Sequence, residues 1–365
     1  MSIVVETIDL ASGSLGADLI PADELADCAE TAAARDGRAI FSYGSGGGYT
    51  PLRELIGEWF GVAPSRVLIT NGWLHGLTLI AEQVIGARTA TSRNVVLESP
   101  LDERVAGVFL RAGASILSVS VDDEGFAVNE LEQMLVQYTL PALVFTVSVF
   151  HNPTGWSMSP ARRRRLLDIT SAQYRMRSAE ILVVEDGSYA LTRFEGEPSP
   201  GLHDLSRGQT VYTSSFSATI APGLRVGFVI APEQLSERLE RAATDSYITP
   251  VLLGQATVHE FVTRGAFDRQ LEHLRTELRR RRDAMASALE RHLPDATWSS
   301  PQGGFFTWVR LPGYPDGREI VKRATGVAAL AGTSFGAPSD YLRLSYAAAD
   351  VDEIESGIAC LAAAI

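Results

Sequence analysis

Apolar residues recur along this chain with two alternating textures. Leu74, Leu77, Ile80, Ala81 and Val84 fall on one face of a helix predicted over residues 74–85, whereas residues 94–98 form a short apolar run typical of a buried strand. Between about residues 50 and 230 the two textures alternate. Helices are predicted at 53–59, 74–85, around 103–112 and at 160–174, where Ser159 serves as N-cap. Strands are predicted at 66–70, 94–98, 115–119, 142–147, 181–185, 210–214 and 226–230. Short apolar strands separated by amphipathic helices indicate an α/β domain with a largely parallel sheet. After residue 245 the texture changes to a long helical stretch over 249–292, broken near Gly265. A strand at 303–311, a helix at 317–325, a strand at 341–346 and a closing helix at 351–364 follow. This is a smaller α+β lobe, joined by the first forty residues folding back. The expected division is a large domain over 40–245 and a small one made of 1–39 and 246–365.

Composition narrows the function classes. The 365 residues, 45% hydrophobic and 21% charged, suit two packed lobes rather than a disordered chain. No apolar run approaches the roughly 20 residues that a bilayer span needs, and the N-terminus lacks a basic segment followed by an apolar stretch. The expectation is a soluble, cytoplasmic protein with no membrane partner. Cys28 and Cys360, the two cysteines, have no metal-ligand spacing, so no metal is expected. A net charge of −12 argues against nucleic acid as a partner, and the basic run at 162–165 reads as a solvated helix face. Among 32 basic residues Lys322 is the sole lysine, so chemistry that needs a lysine amine has one candidate.

Several segments combine turn geometry with polar chemistry. Ile69-Thr-Asn-Gly-Trp-Leu-His-Gly76 is a strand, a tight turn and a helix start, whose unsatisfied amides suit a phosphate. Gly46-Gly47-Gly48 reads as a flexible turn rather than a phosphate cradle. His151-Asn152-Pro153-Thr154-Gly155 follows an apolar strand and is either a simple turn or a way of placing the Asn152 amide at the sheet's carboxyl end, where α/β ligands bind. Glu185-Asp186-Gly-Ser-Tyr189 also sits at a strand end; an acidic residue there serves as a helix cap or projects, with Tyr189, toward the same crevice. Ser215-Phe-Ser217-Ala218, followed by Pro222-Gly-Leu-Arg225, groups two hydroxyls with an arginine. Tyr341-Leu-Arg343-Leu-Ser-Tyr346 puts an arginine inside an apolar strand, where it needs a partner such as a ligand carboxylate in bidentate contact.

In this order and spacing the segments resemble the fold-type I aminotransferases that use pyridoxal 5′-phosphate, in the branch related to aminoadipate and kynurenine aminotransferases. The resemblance runs from Tyr43-Gly through Gly48-Tyr-Thr-Pro-Leu-Arg53 to Leu342-Arg-Leu-Ser345. It implies a large domain with a mainly parallel seven-stranded sheet, a smaller α+β domain, an amino acid substrate and a homodimer. Asn152 and Tyr189 would hydrogen-bond the phenolic oxygen of the cofactor, and Asp186 would pair with its pyridine nitrogen, making the ring an electron sink. Ser215, Ser217 and Arg225 would hold the phosphate together with the turn at Gly72, Trp73 and Leu74. Tyr43 would reach the phosphate of the neighbouring subunit. Arg343 would bind the substrate α-carboxylate, with Asn152, Gly13 and Asp102 as further substrate contacts.

The departures from the family are informative. Members read Ser-Phe-Ser-Lys, with that lysine forming the Schiff base, where this chain has Ala218. Lys322 is predicted on a helix of the small lobe and does not substitute. Trp73, Leu74 and His75 replace the usual small or amide side chains, and Pro100-Leu101-Asp102 stands where Pro-Thr-Tyr is common, without its aromatic ring. One account of Ala218 is an engineered lysine-to-alanine variant that traps an external aldimine; the other is a natural protein without an internal aldimine. Survival of the other cofactor contacts favours the first. The leading reaction is transamination at the α-carbon. The same carbanion also leads to β- or γ-elimination, replacement or carbon–carbon bond formation, an outcome that Trp73, His75 and Asp102 keep open. A lysine-less binding protein or regulator is the remaining class; no helix-turn-helix is read before residue 40.

Overall fold

The computed structural model describes residues 7–89, 92–137, 140–177, 181–314 and 316–365. Its centre is a sheet of eight strands in the order Val67–Asn71, Val226–Ile230, Val211–Ser215, Leu182–Asp186, Leu143–Thr146, Asn94–Ser99, Ser115–Asp122, Gly125–Phe126. Seven of these carry the predicted sheet, and the eighth is a two-residue strand turned back antiparallel on Ser115–Asp122. The five strands from Val211–Ser215 to Ser115–Asp122 run parallel. Their interior members are buried end to end, as in Leu143–Thr146 and Leu182–Asp186, because helices cover both faces.

One reversed strand decides what meets at the sheet's edge. Val226–Ile230 runs antiparallel to both Val67–Asn71 and Val211–Ser215. Its first residue therefore lies beside the last residues of its neighbours, with Asn71 opposite Val226 and Ser215 opposite Gly227. Arg225, immediately before it, joins the carboxyl edge at which Asn71 and Ser215 end.

The second lobe is a four-stranded antiparallel sheet in the order Thr297–Trp298, Phe306–Arg310, Tyr341–Ser345, Leu330–Ala331. The helices Ala266–His292 and Val351–Ala363 pack on it through Leu274, Leu278, Met285, Ile354 and Ile358. The predicted helical break is real: Gly265 has φ +70° and separates Leu252–Thr263 from Ala266–His292. The strand read as 303–311 is shorter, because Gly303 and Gly304 form a turn against Phe150. A Cβ on Gly303 would stand 2.3 Å from the Phe150 ring. Ile8–Asp9 pairs in parallel with Val327–Ala328 and draws the N-terminal segment onto this lobe. Residues 1–6 of the expected small domain lie outside the described residues.

Four α-helices among the described residues escaped the sequence reading: Ala22–Asp36, Val128–Gln137, Leu202–Leu205 and Glu233–Tyr247. Leu25 and Cys28 of the first share an apolar cluster with Val258 and Phe261 and with Val67, Ile69 and Phe228 of the large sheet. That cluster crosses the divisions placed at 39/40 and 245/246. Among the described residues no helix is long and apolar enough to cross a membrane.

Candidate active site

A cavity of about 390 Å³ opens at the carboxyl edge of the large sheet, beneath the N-terminal segment. Of the residues singled out from sequence, Gly13, Trp73, Leu74, Asp102, Asn152, Asp186, Tyr189, Ser215, Ser217, Ala218 and Arg225 line it. Gly72, Arg343 and Tyr43 do not. Gly72 has no side chain to offer and sits against Arg225. Arg343 stands behind Asn152, and Tyr43 is 80% exposed elsewhere.

At one end the cavity gathers donors. Gly72 has φ +84° and caps the helix Trp73–Ile85, whose first amides have no acceptor within the helix. The positive φ favours glycine, and a Cβ on Gly72 would meet Arg225 Nη2 at 2.3 Å and displace the guanidinium from the turn. The Arg225 guanidinium is held over this turn by the carbonyls of Pro222 (3.1 Å) and Asn71 (3.2 Å). Among the described residues it has no carboxylate within ion-pair distance. Ser215 Oγ accepts from the Ser217 amide at 2.9 Å and donates to Ser217 Oγ at 2.8 Å. Hydroxyls, a free cation and a helix N-terminus in one place make an anion site.

The floor carries a buried acid. Successive residues of a strand point to opposite faces, and Glu185 and Asp186 divide accordingly. Glu185 turns away and accepts the amides of Leu202 (2.9 Å) and His203 (2.8 Å). Asp186, 5% exposed, faces the cavity and accepts from the Ser188 amide at 2.9 Å and from its hydroxyl. Burial pushes its pKa up to about 7, the Ser188 hydrogen bonds only partly opposing it. Tyr189 lies edge-on to Phe305 and Phe306 at 5.2 and 5.7 Å, and burial raises its phenol far above the ordinary value, keeping it neutral.

Arg343 is 3% exposed on the strand Tyr341–Ser345, between the rings of Phe306 (4.3 Å) and Phe335 (4.9 Å). It donates from Nη1 to Asn152 Oδ1 at 3.0 Å and from Nη2 to the Ala11 carbonyl, while its Nε is buried without a partner. Burial lowers its pKa to about 10. Asp102 caps the helix Glu103–Arg111, accepting from the Arg104 amide at 3.0 Å and from its guanidinium Nε at 2.9 Å. Burial would raise the Asp102 carboxyl, but the Arg104 bonds more than offset it and hold it below the ordinary range.

Ala218, 7% exposed, ends the short turn Phe216–Ala218 and presents no amine. Lys322 lies in the last turn of the helix Gly317–Arg323, outside the lining. His75 also turns away: its Nδ1 accepts from the Asn71 amide, and its ring packs on Tyr247. The structure adds Ser12, Ser14, Arg104 and Ser188 to the lining. Ser188 was within reach of the sequence reading, two residues past Asp186. Ser12 and Ser14 were not, because they arrive through pairing between chain ends.

The raised Asp186 pKa has a measurable sign. The folded, unliganded protein keeps a proton on this carboxyl that the unfolded chain gives up near pH 4. The stability attached to that proton is fully present below about pH 4 and is lost as pH rises through about 7. Asp186→Asn removes the ionisation. Thermal melting of the unliganded variant is expected to show ~2–4 kcal/mol more stability than wild type at pH 8, relative to their difference at pH 4. A difference independent of pH contradicts the assignment.

Comparison with known proteins places this geometry. The sequence profile of the family described as aminotransferase class I and II matches residues 5–361. The α-aminoadipate aminotransferase LysN of Thermus thermophilus, solved with N-(5′-phosphopyridoxyl)-L-leucine, superposes with a TM-score of 0.91 at 31% identity. That alignment covers 98% of this chain and 92% of that one. The kynurenine aminotransferase of Pyrococcus horikoshii gives 0.90 at 29% identity, covering 98% and 90%. A helix-turn-helix-type transcriptional regulator of Bacillus subtilis is 32% identical over 97% of this chain and 72% of its own length. With the profile spanning nearly the whole chain and the fold shared throughout, this chain belongs to the class I and II aminotransferases, fold-type I transferases whose cofactor is pyridoxal 5′-phosphate.

Proposed function

We propose that the cavity is built for aminotransferase chemistry on an α-amino acid, and that Ala218 makes this chain the lysine-less, catalytically impaired form of such an enzyme. The observation that carries the reading is Arg343, a buried guanidinium with an unpaired Nε and, among the described residues, no carboxylate within ion-pair distance, beside a cavity that gathers donors at one end and holds an acid on its floor. A buried cation without a counter-ion is costly. An amino acid's α-carboxylate supplies one.

The residues fit the cofactor. Arg225, Ser215, Ser217 and the amides of Trp73 and Leu74, which follow the turn at Gly72, would hold its phosphate. Bound there, pyridoxal 5′-phosphate supplies an electron sink for the substrate's α-carbon. Asp186 would receive the protonated ring nitrogen, exchanging the proton it keeps when unliganded for an ion pair. Asn152 already gives its Oδ1 to Arg343, which leaves its amide nitrogen to donate to the phenolic oxygen. Tyr189, held neutral by burial, would donate to the same oxygen from its hydroxyl. Arg343 exchanges the Ala11 carbonyl for the substrate carboxylate, and Gly13 and Asp102 bound the substrate's side. A lysine at 218 would carry the proton between substrate and cofactor; alanine removes both that base and the tether.

The loop that carries Tyr43 is presented outward. Phe41 is 67% exposed and Tyr43 80%, while Ser45 Oγ holds the loop to Glu240 at 3.0 Å. We assign this surface to a second copy of the chain, whose cavity Tyr43 would complete.

Three outcomes test this reading. Arg343→Ala is expected to weaken amino acid binding to the cofactor-loaded protein by ~2–5 kcal/mol, the range for stranding one partner of a buried charge pair; unchanged affinity contradicts the role. Restoring Ala218→Lys is expected to give a borohydride-fixed cofactor adduct on residue 218, seen by mass spectrometry, together with transaminase turnover. If neither appears, a naturally lysine-less binding protein is the better account; an adduct with elimination products in place of transamination identifies the other reaction branch. Sedimentation equilibrium is expected to show a dimer, and a stable, cofactor-loaded monomer contradicts the Tyr43 assignment.

A further inference from the structure

A flat cofactor held without a covalent tether depends on the surfaces that meet its faces. Two aromatic side chains, Trp73 and Tyr189, are among the described residues lining the cavity. Tyr189 is fixed edge-on by Phe305 and Phe306 on the side of the small lobe. Trp73 stands in the first turn of its helix, packed on the large lobe's cluster that contains Leu101, Val105 and Val147. Its ring lies 6.3 Å from that of Phe145, at 58°. Asp102 supplies no flat surface there, because its carboxylate is committed to the helix cap and to Arg104. The indole is half-buried, yet its Nε1 is wholly buried without a partner. That donor sits at the edge of the indole, and a ring stacked on the indole face would leave it as it is; what stacking would cover is the part of the indole that remains exposed.

We propose that Trp73 is the aromatic wall for the cofactor's pyridine ring, in place of the ring absent at position 102. This inference rests on the proposed function, since it presumes that the cavity holds the cofactor. Trp73 is then a positioning residue, and with Ala218 unable to tether the cofactor, its contribution falls on non-covalent affinity.

The test measures binding of pyridoxamine 5′-phosphate, which has no aldehyde to condense with stray amines, by equilibrium dialysis and by the circular dichroism band of the bound ring. Trp73→Leu is expected to raise the dissociation constant about tenfold, within what aromatic stacking and apolar burial supply, and to abolish the dichroic band. The melting temperature of the unliganded protein should change little. Trp73→Phe should stay within about threefold of wild type. Asp102→Tyr, added to Trp73→Leu, should recover affinity by returning a ring to the cavity wall. Wild-type affinity in Trp73→Leu overturns the inference alone. Equal loss in Trp73→Leu and Trp73→Phe, with a lowered unliganded melting temperature, shows a packing role and also overturns it. Failure of the wild type to bind the probe overturns the proposed function, and this inference with it.

Discussion

Arg343 holds a positive charge where water scarcely reaches it, and three parts of the chain are arranged around that charge. The small lobe sandwiches the guanidinium between Phe306 and Phe335, the N-terminal segment offers the Ala11 carbonyl, and the large lobe offers Asn152. These are neutral partners. They offset part of the cost of burial, and Asp102 and Asp9 act on the charge from beyond ion-pair distance, so burial still lowers the Arg343 pKa to about 10. Arg282 is paired with Glu195 and Arg53 with Glu240, while Arg163, buried as deeply, gives each of its nitrogens to backbone carbonyls. Arg343 differs from Arg163 in the buried Nε that has no acceptor, and this gives it a reason to await a ligand.

The rest of the site follows from how one sheet edge is built. Parallel strands end together, and the alternation of side chains along Leu182–Asp186 sends Glu185 into the scaffold and Asp186 into the cavity. The reversed strand Val226–Ile230 brings its beginning to the same edge, so that Arg225 reaches the turn at Gly72. The donors gathered here come from the turn at Gly72 and from Ser215, Ser217 and Arg225 far along the chain. A single change of strand direction makes them neighbours.

Much of this was legible in the sequence because periodicity and turn residues are local. The Ile69–Gly76 turn, the strand ends at Asn152 and Asp186, and the break at Gly265 could all be read from spacing. What was not legible depends on long-range packing. The glycines at 46–48 read as a flexible turn, yet Cβ atoms there would strike Thr244, Arg53 and Ile69 at 2.0, 2.3 and 2.6 Å, so the run is tightly packed. Helix Glu233–Tyr247, which closes over that run, is mostly polar on its outer surface and left little apolar signal. Ser12 and Ser14 reach the cavity because Ile8–Asp9 pairs with Val327–Ala328 near the other end of the chain. Arg104 is set by the cap that Asp102 forms, a local contact whose direction only the fold reveals.

The central claim is that these segments form one cofactor site despite the alanine at 218. Diffraction from crystals grown with pyridoxal 5′-phosphate tests it most directly. The account predicts the phosphate within hydrogen-bond distance of Arg225 and Ser217, and the ring nitrogen on the carboxylate of Asp186. A cofactor bound with its phosphate away from Arg225, or with Asp186 left facing solvent, would contradict it.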